Sequence, residues 1–463
     1  MDLFTHLNYI FYPGSVAVIG ASSNPQKPGY LCTSNLVNDG FKGKIYPVNP
    51  SLSGLLGLKT YSTILDIPGE VDLAISVVPA EQAFSVLKDC IKKRVKGIIF
   101  VSAGFSEIGS EIGSNLQYEL KEIADKGGIK IIGPNTMGLI NTKANLNATF
   151  SPGLGLSKIG NVSVVSQSGG MCVYLVNALT DNNIGIGKVI GLGNRCNLDF
   201  DEMVEYLARD EDTEAIVLYI EGLNNPKKLM DAAFKTVKEK PIIVFKGGRS
   251  EESSTATRSH TGSLAGKYEY YKAAFRQGGM ISVDTLTELA DVTKAMVLQP
   301  PAQGNRLAVL SLQAGPGIIA ADTAREYGMK LSVFSSETRQ RLKKNISPLL
   351  SIENPVDMAW TGSNIDTCRE ILDAVMEDEN VDAVIVAFIS FDLSRELPKA
   401  LIEVSGRFNK PVIACVGSLG SADKTINALE AARIPTYPFP DRACTGMAGL
   451  VKYGIIRENY SGC

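Results

Sequence analysis

The stretch STATRSHTGSLAG, residues 254–266, holds His260, one of only two histidines in the chain. Its neighbours are hydroxyls, glycines and alanines, with Leu264 as the one large apolar side chain. With no apolar face around it, His260 does not read as a core histidine. With no second histidine nearby it does not read as a metal ligand, and His6 is remote in sequence and reads as incidental. A bland surface residue is one alternative; a nucleophile is the other. An imidazole attacks well when its second ring nitrogen donates to a carboxylate that fixes the tautomer and stabilises positive charge. Glu221 is a candidate for that carboxylate, at the end of the apolar run AIVLYIEG, though a solvated residue beginning a loop would look the same. Gly262 and Gly266 supply flexible points, so the composition suggests a histidine on a mobile loop.

Two further stretches point to anions. In SQSGG (Ser166, Gln167, Ser168, Gly169, Gly170) and QAGPG (Gln313, Ala314, Gly315, Gly317), a β-branched run enters a helix-like stretch with few side chains in the way. Bare backbone N–H groups and the positive end of the helix dipole then face the mouth, a seat for phosphate. Glycine at a strand-to-helix turn is often only turn chemistry, so two unrelated turns are the alternative.

A third loop, VIGASSNPQKPG, invites a dinucleotide reading and departs from it twice. Gly20 is followed by Ala21 and Ser22, not by the G-x-G-x-x-G spacing. The next strand, KIYPVNP, ends in Asn49 and Pro50 where a carboxylate would normally hold the ribose hydroxyls. A ligand with a phosphate on its ribose tolerates the missing acid, and Lys27, Lys42 and Lys44 are nearby cations in sequence. Coenzyme A fits that description. The alternative is a Rossmann-like domain whose first turn merely packs tightly.

The elements that must position these residues are legible as short, nearly continuous apolar runs, which suit parallel sheets covered on both faces. The three loop-bearing strands, beginning near residues 15, 161 and 306, are joined by others such as VDLAISVVP, PIIVFKGG, DAVIVAFIS and PVIACVG. After Gly170, the residues Met171, Leu175, Val176 and Leu179 fall near one helical face. The polar, Gly/Pro-containing stretch 141–160 reads as a linker, and LQPPAQGN (298–305) as a second. The 463 residues therefore predict an α/β chain of three doubly wound domains, 1–140, 141–300 and 301–463, with ligands at the carboxyl ends of strands. A net charge of -3 gives no global case for nucleic acid or an anionic membrane. No apolar run has the ~18 residues of a membrane span, and the N-terminus has no signal-peptide pattern. Eight scattered cysteines without a CxxC pair argue against a disulfide framework and a zinc site, and fit a cytoplasmic protein.

Taken together, TRSHTGSLAG, YIEG, SQSGG, VAVIGASSNPQKPG and IKIIGPNTMGLIN resemble the α chain of the NDP-forming (ADP-forming) acyl-CoA synthetases, relatives of succinyl-CoA synthetase. The resemblance runs over essentially the whole chain. It implies a Rossmann-like CoA-binding domain followed by two flavodoxin-like ligase domains, SLQAGPGIIAADTA and NPVDM (354–358) resembling phosphate-facing loops of the last. It implies a reaction in which acyl-CoA, ADP and phosphate give the carboxylic acid, ATP and CoA by way of an acyl phosphate. His260 would carry the phosphoryl group on its loop and Glu221 would orient it. The CoA-binding set it implies is Gly20, Ala21, Ser22, Lys27, Gly29 and Lys44, with Asn49, Pro50, Val78, Pro79 and Asn135.

The chain has no G-x-x-x-x-G-K-[ST] motif and no stretch left over for an ATP-grasp domain. The resemblance therefore implies a separate ATP-grasp β subunit, in an α2β2 heterotetramer, that binds most of the nucleotide and Mg²⁺. No metal ligand is expected in this chain, and nothing in the sequence ranks one acyl group over another. The competing reading is a non-catalytic CoA- or nucleotide-sensing regulator, which would need the first loop but not His260, Glu221 and two anion seats. A citrate-cleaving relative would add a citrate-synthase-like region, for which the chain shows no candidate. A redox Rossmann enzyme is disfavoured by the first loop.

Overall fold

The computed structural model describes residues 2–154, 158–250, 252–253 and 267–461. They fall into two compact units, residues 1–286 and 287–463. Among the described residues no helix is long and apolar enough to cross a membrane.

The first unit holds two main sheets and a small hairpin. The strands β1 (Ser15–Ile19), β2 (Lys44–Val48), β5 (Leu73–Ser76), β6 (Gly97–Phe100) and β7 (Lys130–Ile132) form a parallel sheet in the order β2-β1-β5-β6-β7. The hairpin strands β3 (Gly54–Leu55) and β4 (Leu58–Lys59) stand apart from it. The reversal of strand order at β1 opens a crevice between the carboxyl ends of β1 and β5, where open α/β sheets bind ligands.

The second sheet runs β14-β13-β12-β10-β11-β8-β9. Its members are β8 (Gly138–Asn141), β9 (Leu146–Thr149), β10 (Ile159–Ser166), β11 (Ile186–Gly191), β12 (Ala215–Ile220), β13 (Ile242–Lys246) and β14 (Ile281–Val283). The five from β10 to β14 are parallel, while β8 and β9 pair antiparallel at one edge. Here the structure corrects the reading of 141–160 as a linker. Leu139, Ile140, Leu146 and Ala148 are buried, and the polar residues among them are paired. Asn141 Nδ2 donates to the Phe11 carbonyl at 2.9 Å, and Thr149 Oγ1 to Asn147 Oδ1 at 2.7 Å. The segment also reaches back to the helix Pro28–Asn38 of the first sheet: Asn35 Nδ2 donates to the Thr149 carbonyl at 2.8 Å, and Asn147 Nδ2 to Asp39 at 2.7 Å.

The second unit contains one parallel sheet, β16-β15-β18-β19-β20, with β17 also paired to β15. Its strands are β15 (Arg306–Ser311), β16 (Lys330–Leu331), β17 (Val356–Asp357), β18 (Ala383–Ser390), β19 (Val412–Ser418) and β20 (Thr436–Tyr437). Alternate residues of β18 feed two cores: Val384, Val386 and Phe388 pack on one face, Ala383, Ile385 and Ala387 on the other. That two-sided burial explains the unbroken apolar runs. The helix Leu286–Leu298 falls almost wholly within this unit, ahead of the boundary expected at residue 300. Its Lys294 Nζ donates to the Thr436 carbonyl at 2.8 Å, and its Asp291 pairs with Arg442 at 2.6 Å.

Candidate active site

The first loop closes over the end of β1. Gly20 has φ +90°, and its N–H and that of Ala21 both donate to the Val48 carbonyl, at 3.0 and 3.2 Å. Asn49 Nδ2 donates to the Ala21 carbonyl at 2.6 Å, tying the end of β2 to the same loop. Ser22 Oγ accepts from the Asn24 N–H at 3.1 Å, and Lys27 is the exposed residue before the helix Pro28–Asn38. Gly29 is needed for close approach: a Cβ there would lie 2.1 Å from the Gly20 carbonyl oxygen. Val78 and Pro79 follow β5 on the other side of the crevice, and Pro50 is exposed beside Asn49. Asn135 also lies at a carboxyl end, but on β7, three strands from β1; its backbone has φ +59° and its Nδ2 donates to Asn194 at 3.3 Å.

Lys44 is not brought to this crevice. It opens β2 and pairs with Ser15 at the start of β1, four residues and about 13 Å from the strand's carboxyl end. Lys42 lies further back still. Nearness in sequence misled here because a parallel strand carries its first residue to the far edge of the sheet.

The two candidate anion seats are built by one local device. Ser166, the last residue of β10, donates through Oγ to the Ser168 carbonyl at 2.7 Å; Ser311, the last of β15, donates likewise to the Gln313 carbonyl at 2.5 Å. Each bond pulls the chain into a tight turn that starts a helix, Gly169–Thr180 or Ala314–Glu326. The first-turn N–H groups of a helix have no intrahelical acceptor, and Gly170, Ala314 and Gly315 are exposed there. Ser168 caps its helix, its Oγ accepting from the Met171 N–H at 3.4 Å. Gly169 lies against Met137, and a Cβ at Gly317 would meet Ser311 Cβ at 3.2 Å, so both of these glycines face the protein. On the helix Gly169–Thr180 the buried face is Cys172, Leu175, Val176 and Leu179; Met171 instead turns toward a cavity.

Gln167 ties the first of these loops to Glu221. Its Oε1 accepts from the N–H groups of Glu221 and Gly222, both at 3.0 Å, and its own N–H donates to the Tyr219 carbonyl at 3.1 Å. Through Oε1 the side chain braces the Glu221 turn. Glu221 itself is no solvated loop residue: it is 7% exposed, just past the end of β12.

Around Glu221 stand residues the sequence did not single out. Lys246, the last residue of β13, donates to the Glu221 carbonyl at 2.8 Å and also to the Gly247 carbonyl. Burial brings its amine down to about 8, against the opposing pull of the Glu221 charge. Burial first, and then the charge and hydrogen bond of Glu221, push the Tyr219 phenol upward. A Cβ at Gly247 would sit 2.3 Å from that phenol oxygen, so only glycine lets the chain pass it. The one available signal was a lysine ending an otherwise apolar strand, VFKGG.

These groups border a cavity of about 550 Å³ lined by Met171, Tyr219, Phe245, Lys246, Gly247–Ser250 and Ser253. His260 and the rest of 254–266 lie outside the described residues. On either side of that segment, Arg249 pairs with the Asp284 carboxylate and Tyr268 donates to it at 2.8 Å. His6, the other histidine, is spent on the Lys96 carbonyl at 2.7 Å.

Comparison with known proteins agrees with this layout. The CoA binding domain family matches residues 14–142, and the succinyl-CoA ligase like flavodoxin domain family matches 159–296. The α subunit of acetate–CoA ligase [ADP-forming] II from Pyrococcus furiosus is 39% identical over 96% of this chain and 97% of its own length. Acetate–CoA ligase [ADP-forming] I from Archaeoglobus fulgidus is 38% identical over 96% of this chain, which spans only 64% of that protein. Among solved structures, the dinucleotide-forming acetyl-coenzyme A synthetase 1 of Ca. Korarchaeum cryptofilum, in complex with phosphate and ADP, superimposes with a TM-score of 0.90. It is 33% identical, with 98% of each chain covered. This chain accordingly belongs to the NDP-forming acyl-CoA synthetases, acid–thiol ligases of the succinyl-CoA synthetase superfamily, as an α-subunit-type chain.

Proposed function

We propose that the chain is the catalytic subunit of an enzyme converting acyl-CoA, ADP and phosphate reversibly into carboxylic acid, ATP and CoA. A phosphate oxygen attacks the thioester carbonyl carbon, the C–S bond breaks, and CoA leaves as its thiol, giving an acyl phosphate. His260 then attacks phosphorus; the bond from phosphorus to the acyl oxygen breaks, and the carboxylate leaves with that electron pair. A terminal oxygen of ADP takes the phosphoryl group from the imidazole, giving ATP and restoring the histidine.

The observation that carries this reading is the burial of Glu221 just past β12, on a turn held by Gln167 from the loop that starts the helix Gly169–Thr180. Held by Gln167 from one side and Lys246 from the other, Glu221 orients the imidazole and stabilises its charge as phosphorus is attacked. The first-turn N–H groups at Ser168–Gly170, and those of Ala314 and Gly315 in the other seat, hold phosphoryl oxygens, where preorganised donors lower the cost of developing charge. CoA lies in the crevice at the ends of β1 and β5, with Lys27 as a cation for its phosphates.

The nucleotide and its Mg²⁺ are brought mainly by a separate ATP-grasp β subunit in an α2β2 assembly, working in the cytoplasm. The name of the Pyrococcus relative, a subunit alpha, supports a partner chain. The phosphate and ADP bound by the Korarchaeum relative support the ligand classes.

The test is intact-protein mass spectrometry at mildly alkaline pH, where phosphohistidine survives, after exposure to an acyl phosphate. One added phosphoryl group, absent from His260→Ala, is expected. No added mass even with the partner chain present would refute the mechanism and favour the CoA-sensing reading.

A further inference from the structure

The second unit contains a cavity of its own. It measures about 350 Å³ and lies at the carboxyl ends of β15, β17, β18 and β19, lined by Leu312–Ala314, Asp357, Ala359, Trp360, Ile389, Phe391 and Leu419. Two features set it apart from an ordinary packing gap. First, Gln313 and Ala314 belong both to the cavity wall and to the anion seat at the start of the helix Ala314–Glu326. Second, the wall is apolar where the surface should be polar: Trp360 is 78% exposed and Leu419 is 77% exposed.

The backbone is arranged to hold Trp360 out. Ala359, just before it, has φ +35°, a conformation costly for a residue with a side chain. It is fixed by its N–H donating to Asp357 Oδ1 at 3.0 Å. Asn354, at the base of the same loop, donates to the Leu307 carbonyl at 2.7 Å and accepts from the Val309 N–H at 3.0 Å. The loop is thus fastened to β15, the strand that carries the anion seat.

We infer that this cavity is the acyl subsite, and that the preferred substrates are branched-chain or aromatic monocarboxylic acids. The inference rests on the ligase reading above and adds the substrate class. In an acyl phosphate the carbon chain begins one oxygen away from phosphorus. With the phosphoryl oxygens on the N–H groups at Ala314 and Gly315, the chain enters the cavity that Gln313 and Ala314 border. At about 30 Å³ per water-sized volume, the cavity takes about a dozen, several times what an acetyl group fills. A short acyl group would leave Trp360, Phe391 and Leu419 facing water, whereas an isovaleryl or phenylacetyl group covers them. Among the described residues no lysine or arginine lines the wall, and the one charged residue there is the acidic Asp357. A second carboxylate, as in a dicarboxylic acid, would meet no counter-charge there.

The test uses the chain assembled with its partner subunit and compares acetate, isovalerate, phenylacetate and succinate in acyl-CoA formation. The kcat/KM for phenylacetate or isovalerate should exceed that for acetate by about 10-fold or more, as expected for added hydrocarbon in an apolar pocket. In Trp360→Ala and in Leu419→Ala, the ratio of bulky acid to acetate should fall about 10-fold. Because Trp360 is the only tryptophan of the chain, phenylacetate should also change the chain's own fluorescence saturably. That arm reads the cavity without turnover, and so without reliance on the mechanism. A preference for acetate or succinate, variants that slow all acids alike, or a fluorescence change produced by the partner chain and not by phenylacetate would each overturn the inference. If His260 is phosphorylated while the acid ratio stays put, only the subsite is wrong. If His260 is never phosphorylated, the mechanism is wrong, and the fluorescence arm still decides the cavity.

Discussion

At Gly315 a Cβ would meet nothing within 4 Å, and the residue lies in the first turn of the helix Ala314–Glu326. Helical Cα–Cβ bonds tilt toward the N-terminus, so the methyl of Gly315→Ala projects toward the space where the seat would hold its anion. The protein has no reason to resist it. Alanine loses less backbone entropy than glycine on entering a helix, a gain of about 0.5 kcal/mol, worth about 1–2 °C in melting temperature for a unit of this size. The anion does have a reason. A phosphate oxygen sits about 2.9 Å from an N–H donor, while a methyl carbon keeps its neighbours at about 3.5 Å or more. The phosphoryl group is displaced by something on the order of 0.5–1 Å, and a misplacement of that size costs about 10- to 100-fold in rate. The assay is phosphate-dependent release of CoA thiol from acyl-CoA by the assembled enzyme, alongside a melting curve of the variant. Gly317→Ala is the contrast: its Cβ points back at Ser311 and Pro355, 3.2 and 3.4 Å away, so it should lose stability. If Gly315→Ala keeps both its rate and its KM for phosphate within about twofold of wild type, the anion does not sit at this helix start.

Two further outcomes follow from the site geometry. Burial holds the Lys246 amine near 8 while Glu221 pulls it upward, so Glu221→Gln should move the midpoint lower still. The Lys246 ¹³Cε shift measures it, and a midpoint near the ordinary 10.5 would contradict the buried placement. The linkage has a definite sign. Between about pH 8 and 10.5 the unfolded chain binds more protons at this group than the folded one, so its unfavourable contribution is full below pH 8 and relieved as pH rises. In the first domain, Gly29→Ala forces a Cβ against the Gly20 carbonyl oxygen and should cost about 1–3 kcal/mol as overpacking. Thermal melts with and without CoA should show a lower midpoint and a smaller CoA-induced rise; a variant that melts with wild type would refute the close approach.

Which parts of this were readable in the residues follows from what each depends on. The parallel strands were legible because two-sided burial leaves no polar alternation, and Glu221 was legible because it is the first polar residue after such a run. The antiparallel edge β8-β9 was not: its asparagines and threonines are buried but satisfied by hydrogen bonds, and in composition a satisfied polar strand looks like a loop. The tie from the Gln167 side-chain oxygen to the Glu221 turn was not legible, because it reaches the neighbouring strand's end, which no local pattern records. Trp360 was missed because its setting, a two-residue strand followed by a 3-10 turn, has too short a period to read.

The edge pair β8-β9 also bears on how the protein can be cut into working fragments. A fragment beginning at residue 159, where the flavodoxin-like match starts, would strip β11 of its antiparallel neighbour and leave unpaired N–H and C=O groups along a buried six-residue strand. Such an open edge is a template for aggregation. The CoA-binding piece would lose in turn the contacts at Asn35 and Asp39. Residues 138–149 thus act as a selvedge woven into both cloths, and the seam between them is not a place to unpick.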